Sequence, residues 1–195
     1  YTIADRGKWT VKKHKNSVDF IQQLSAAGYD YVYRKTVRLT PGKPEMVLEH
    51  SLKNRGTQAI HTTVYNHNFL TLDRRPPGPG VTISLPFKIE STHPPDKKLA
   101  EIRGNQIVYV GTLQDHNVAA TPIQGFSDKI SDHVIRIEDT RAGAGMKIEA
   151  DRPLFKESLW SIRSVLAVEP FIEITVEPGA EFTWKSTYNY YTLPH

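Results

Sequence analysis

Not one of the 195 residues is a cysteine. Disulfides, thiolate metal sites and cysteine nucleophiles are therefore excluded, and a buried apolar core has to carry the fold. No run of about 18 apolar residues occurs, so no membrane-spanning helix is expected, and no signal-type apolar segment is visible either. The chain lacks an Asn-x-Ser/Thr sequon, a Gly-x-Ser-x-Gly elbow and a Gly-rich phosphate loop. Long stretches with helical periodicity are missing as well. Nor does one sign of charge dominate: 25 Lys and Arg face 21 Asp and Glu, a net of +4, with both signs mixed along the chain. The basic cluster at 8–15 and the pair Arg74-Arg75 read as solvated faces. Nucleic-acid binders concentrate such residues on one surface, so neither nucleic acid nor membrane is expected as a partner.

What is present is strand-forming sequence. Hydrophobic residues make up 38% of the chain and charged ones 24%, enough for a folded core. Apolar and polar residues alternate over 17–24, 29–39, 45–54, 58–70, 81–89, 106–113, 133–139, 146–150, 159–168 and 182–191. Turn chemistry separates these segments: Thr40-Pro41-Gly42-Lys43-Pro44, Asn54-Arg55-Gly56, Arg103-Gly104-Asn105 and Glu177-Pro178-Gly179. Pro76-Pro77-Gly78-Pro79-Gly80 reads as a rigid loop, and 91–99, with Pro94-Pro95, as room for a short helical turn. Many strands at this spacing predict an all-β fold, a large antiparallel sandwich forming one domain over 1–195. Because the first residue is Tyr1 rather than Met, an N-terminal segment is expected to precede it. The compartment is left open, as is the oligomeric state.

Strand parity sorts side chains by face. Met46, Leu48, His50 and Leu52 share one face, as do His61, Thr63, Tyr65, His67 and Phe69. Counting 160–169 as one strand places Trp160, Ile162, Ser164, Leu166 and Val168 in the core. Arg163 and Glu169 then lie together on the other side, where a polar site could sit. Eight histidines invite a metal. His61 and His67, however, stand roughly 20 Å apart on an extended strand, too far for a shared zinc. Asp115-His116 and Asp132-His133 are sequence neighbours whose side chains point to opposite faces of a strand. Neither a metal nor any other cofactor is expected.

Three segments, in order, resemble the galactose mutarotase-like (aldose 1-epimerase-like) superfamily. The first is 49–54 followed by Thr63-Val64-Tyr65-Asn66-His67-Asn68-Phe69-Leu70. It looks like paired strands that end in an Asn-His-x-aromatic motif. The second is Ser131-Asp132-His133-Val134 with 140–146, similar to an Asp-His segment before a hairpin. The third is 164–170, ending in Glu169-Pro170, with 176–184; it looks like a Glu-Pro strand followed by Pro-Gly and a last aromatic strand. Together they frame 35–191.

The resemblance implies a sugar or sugar derivative as small-molecule partner, and an isomerase that interconverts anomers. By position it makes Glu169 the general base and His67 the general acid. Asp132 would hold sugar hydroxyls, and Asn66 would brace the site. Arg163, added from strand parity, would tune Glu169 or bind the sugar. Tyr65, Phe69 and Trp160 could stack on a sugar or fill the core. Only eight residues separate Glu169 from Pro178, too few for the loop that follows the base in the family, which implies a pocket that is wider or differently walled. A non-catalytic carbohydrate-binding sandwich and an accessory structural sandwich are the competing readings.

Overall fold

Period-two alternation becomes strand almost wherever it occurs, and the only helical element among the described residues is a single 3-10 turn, Ile130–Asp132. The computed structural model describes residues 5–194. They form two compact units, 5–63 with Glu173–Tyr188, and Val64–Ile172 with 189–194.

The first unit opens as an antiparallel meander. Its strands are β1 (Lys8–Lys13), β2 (Ser17–Ala26), β3 (Tyr29–Leu39) and β4 (Glu45–Asn54). Ala26 pairs with Tyr29, so the β2–β3 loop is just Ala27-Gly28. Both adopt positive φ, 51° and 84°, the pattern of a type I′ turn, whose twist matches that of the flanking strands. On β4 the predicted face holds: Leu48, His50 and Leu52 are buried. His50 stacks on Trp184, their ring centroids 4.8 Å apart at 6°, and accepts or donates a 2.8 Å hydrogen bond with the Tyr33 hydroxyl. The expected turn after β4 is fixed by Asn54, only 1% exposed. Its amide nitrogen donates to the Gln58 and Val176 carbonyls at 2.7 and 2.8 Å, and its oxygen accepts from Gly56 N–H at 2.9 Å.

Next come β5 (Ile60–Tyr65) and the strands of the second unit: β6 (Val81–Ser84), β7 (Ala100–Arg103), β8 (Gln106–Tyr109), β9 (Ala119–Ile123), β10 (Val134–Asp139), β11 (Ala144–Ala150) and β12 (Lys156–Ile162), followed by β13 (Val165–Val176), which belongs to the second unit as far as Ile172. The last strand is β14 (Glu181–Thr192). In the first unit the order is β1-β2-β3-β4-β14, and in the second β11-β10-β6-β8-β7. A further sheet runs β5-β13-β12-β9. Ile83, Ile107, Ile135, Ile137, Ile148, Leu159 and Leu166, each at most 2% exposed, build the core of the second unit. Between 91 and 99 the chain makes one hydrogen-bonded turn, Leu99 and Ala100 N–H both donating to Asp96 C=O at 2.8 and 3.0 Å.

The segment 159–168 departs from the expected single strand. It is a tight hairpin, in which Ile162 pairs with Val165 across the turn Arg163-Ser164. The reversal swaps the parity count. Trp160 pairs with Ala167 and Ser158 with Glu169, and paired residues share a face. Trp160 therefore joins Glu169 on the outer face, while Leu159, Ser161, Leu166 and Val168 turn inward.

Candidate functional site

Leu70 and Leu166 form an antiparallel bridge, each N–H donating to the other's carbonyl at 2.9 and 3.0 Å. Counting back along both chains from this bridge sets Phe69 opposite Ala167, His67 opposite Glu169 and Tyr65 opposite Phe171. The β12–β13 register adds Trp160, Ser158 and Lys156 to the same rows. Three rows of three side chains result, each row roughly 7 Å from the next along the strands.

The middle row carries the ionisable groups. His67 Nδ1 and Glu169 Oε1 form a direct ion pair, the His67 side chain 41% exposed and the Glu169 side chain 12%. Ser158 Oγ donates to the other carboxylate oxygen at 3.3 Å. Glu169 is thus held from both flanking strands. One outer row is Phe69 and Trp160, whose ring centroids stand 5.9 Å apart. They belong to chain segments two strand positions apart, roughly 10 Å, and can lean together because only the methyl of Ala167 lies between them. The other outer row is Tyr65 stacked on Phe171, centroids 4.2 Å apart, with Lys156 Nζ 5.1 Å above the Phe171 ring. His67 touches both ends of this arrangement, its ring 4.1 Å from Phe69 and 5.7 Å from Tyr65. A cavity of about 570 Å³ opens over the middle row, lined there by His67, Ser158 and Glu169 and at its edges by Tyr65, Lys156 and Trp160. Thr121 from β9 and His93 from the segment between β6 and β7 also line it.

Of the residues singled out in the sequence, His67 and Glu169 come together. Asn66 is half-buried between the exposed Tyr65 and His67. Asp132 and Arg163 stand elsewhere. Asp132 is committed to its own loop, accepting from Ser127 N–H at 2.7 Å and from the Ser127 hydroxyl at 2.8 Å. These two donors hold its carboxyl below the ordinary range. Arg163 sits exposed at the hairpin tip and lines a different cavity, with Pro76, Leu113 and Asp115. Four residues of β13 separate that tip from Glu169, roughly 13 Å. The parity argument that paired them fails because it counted through a turn. Ser158, Lys156, Thr121 and His93 were not singled out. A serine or lysine in a strand carries no signal of its own, and only the strand pairing shows what it faces.

Neither protein-family models nor curated proteins give a match to this sequence. Solved structures do. A candidate aldose 1-epimerase from Escherichia coli K12 superimposes with a TM-score of 0.72 at 16% identity, over 96% of this chain and 69% of that one. An aldose epimerase homologue from C. elegans gives 0.67 at 14% identity, over 96% and 69%. A galactose mutarotase-like protein from Lactobacillus casei gives 0.62 at 14%, over 94% and 73%. The chain therefore spans about two thirds to three quarters of the length of these neighbours. Its fold is the galactose mutarotase-like antiparallel β-sandwich.

Proposed function

We propose that the chain binds a sugar over His67 and Glu169 and interconverts its anomers, as an isomerase resembling aldose 1-epimerase. The observation that carries this reading is the His67–Glu169 ion pair on the open face of the sheet, flanked by aromatic rings and roofed by a cavity of sugar size. Anomer exchange needs a base at the C1 hydroxyl and an acid at the ring oxygen. Glu169 takes the hydroxyl proton while protonated His67 gives one to the ring oxygen. The bond between C1 and the ring oxygen breaks, and C1 becomes a carbonyl. Closure on the opposite face reverses both transfers, so the carboxylate and imidazolium are restored. Ser158 positions the carboxylate, and Asn66 braces the segment that carries His67.

The test is anomer exchange followed by polarimetry or NMR on fresh α-glucose and α-galactose. Wild type should speed equilibration. Glu169→Gln and His67→Asn should each lower the catalysed rate by about 100-fold or more, the usual contribution of a positioned acid or base. A folded wild type that leaves the rate at the buffer value would overturn the reading.

A second reading, a sugar-binding module without turnover, draws support from the direct contact of the two groups, which satisfies each with the other. It predicts buffer-rate exchange together with sugar-induced NMR shifts at Trp160.

A further inference from the structure

Every residue of β1, from Lys8 to Lys13, is exposed, and the strand has a neighbour on one side only. Among the described residues it pairs with β2 alone and ends its sheet. Every second residue of β1 therefore turns its N–H and C=O outward, with no strand to meet them. Side chains alternate across this edge. Lys8, Thr10 and Lys12 stand on one face, and Trp9, Val11 and Lys13 on the other. Trp9 is 52% exposed and Val11 53%. Phe20 lies opposite Val11 and extends their apolar strip, because paired residues share a face. The indole N–H of Trp9 donates to the Arg6 carbonyl at 2.9 Å, which holds the ring at the edge. Lys8, Lys12 and Lys13 meet no carboxylate at ion-pair distance among the described residues. Asp19, opposite Lys12, is engaged elsewhere: it accepts from the Thr36 hydroxyl at 2.8 Å and faces His14 at 3.5 Å.

We infer that the outer edge of β1 takes an extended, acidic segment of a partner protein as an added strand. Alternate side chains of that segment are acidic and lie beside Lys8 and Lys12. The intervening ones are apolar and lie beside Trp9 and Val11. Three features select this occupant. The open backbone edge asks for a ladder of N–H and C=O groups, which a peptide has and a nucleic acid or lipid surface lacks. The unpaired lysines ask for carboxylates, and opposite charges on neighbouring strands are favourable where like charges repel. A second copy of this chain fails on that count: antiparallel pairing of two β1 strands over all six residues sets Lys8 against Lys13 at both ends. Lysines on an edge strand guard against such self-pairing, and the same lysines admit an acidic strand. β1 belongs to the first unit, and the residues lining the His67–Glu169 cavity belong to the second, so the inference does not depend on the sugar-binding reading.

The test uses a capped ten-residue peptide of alternating glutamate and valine, with calorimetry for affinity and hydrogen exchange for the β1 amides. The peptide should bind, and exchange should slow in β1 while the rest of the chain keeps its rates. A fully N-methylated version keeps the charge and loses every donor, and it should bind at least tenfold more weakly. Lys8→Glu with Lys12→Glu should weaken the acidic peptide about tenfold and turn preference toward a lysine-valine peptide. Both lysines are exposed, so the fold should survive, which circular dichroism checks. No binding of the acidic peptide would overturn the inference, as would equal binding of the N-methylated version or binding that leaves β1 exchange unchanged. Tighter binding of a single-stranded oligonucleotide, or of phosphatidylserine vesicles, would assign the lysines to phosphate and overturn it too. So would a dimer, seen by light scattering without peptide, whose formation itself slows exchange in β1.

Discussion

Glu157 occupies the side of β12 opposite Ser158 and is 1% exposed. Neither of its carboxylate oxygens meets a hydrogen-bond partner among the described residues. Burial pushes its pKa up to about 8, from 4.5. The sign of the effect on stability follows. Between those two values the unfolded chain has lost the proton and the folded chain keeps it, so folding takes up a proton and stability falls as pH rises. The contribution is complete below about pH 4.5 and gone above about pH 8, a loss on the order of 3–5 kcal/mol. Urea unfolding at pH 5, 7 and 9 should show this decline in wild type and a flatter profile in Glu157→Gln. An unchanged slope in the variant would assign the decline to other groups. At this scale the sequence was partly legible. His67 and Glu169 stood out through the motifs around them. Glu157, next to the apolar residues of an alternating strand, looks like one more surface carboxylate. Its burial follows from the hairpin parity that also misplaced Arg163.

Among the elements, the β2–β3 turn holds an avoidable strain. Ala27 sits at a φ of 51°, where a Cβ is unfavourable and where asparagine is tolerated far better. Asn-Gly is the preferred pair for this turn type. Ala27→Asn should stabilise the protein by about 0.5–1 kcal/mol, raising the Tm by about 2 °C for a chain of this size; calorimetry would read it. The strands themselves were legible where both faces differ in polarity, as in β3 and β4. They were missed where a second signal overrode alternation. In β1 every residue is exposed and Lys8, Thr10 and Lys12 alternate with Trp9 and Val11, so the segment reads as a basic cluster. β9 contains Pro122, which demotes it. The β12–β13 hairpin turns on Arg163-Ser164, which carries neither glycine nor proline, so nothing in the sequence marks the reversal.

The molecule as a whole was the most legible level. An all-β sandwich follows from many alternating segments, absent helical periodicity and abundant turn residues, and these properties survive errors in single strands. The site was less so, because it is assembled from rows that cross three chain segments, and rows exist only once the register is known. That assembly also leaves the three tryptophans in three different surroundings. Trp9 is 52% exposed on β1, Trp184 is 8% exposed against His50, and Trp160 lies half-buried in the proposed sugar site. Each should emit at its own wavelength, Trp9 to the red and Trp184 to the blue. Acrylamide should quench the red component first, and a bound sugar should protect the intermediate one. The fold thus carries its own optical probe of site occupancy, readable without a label.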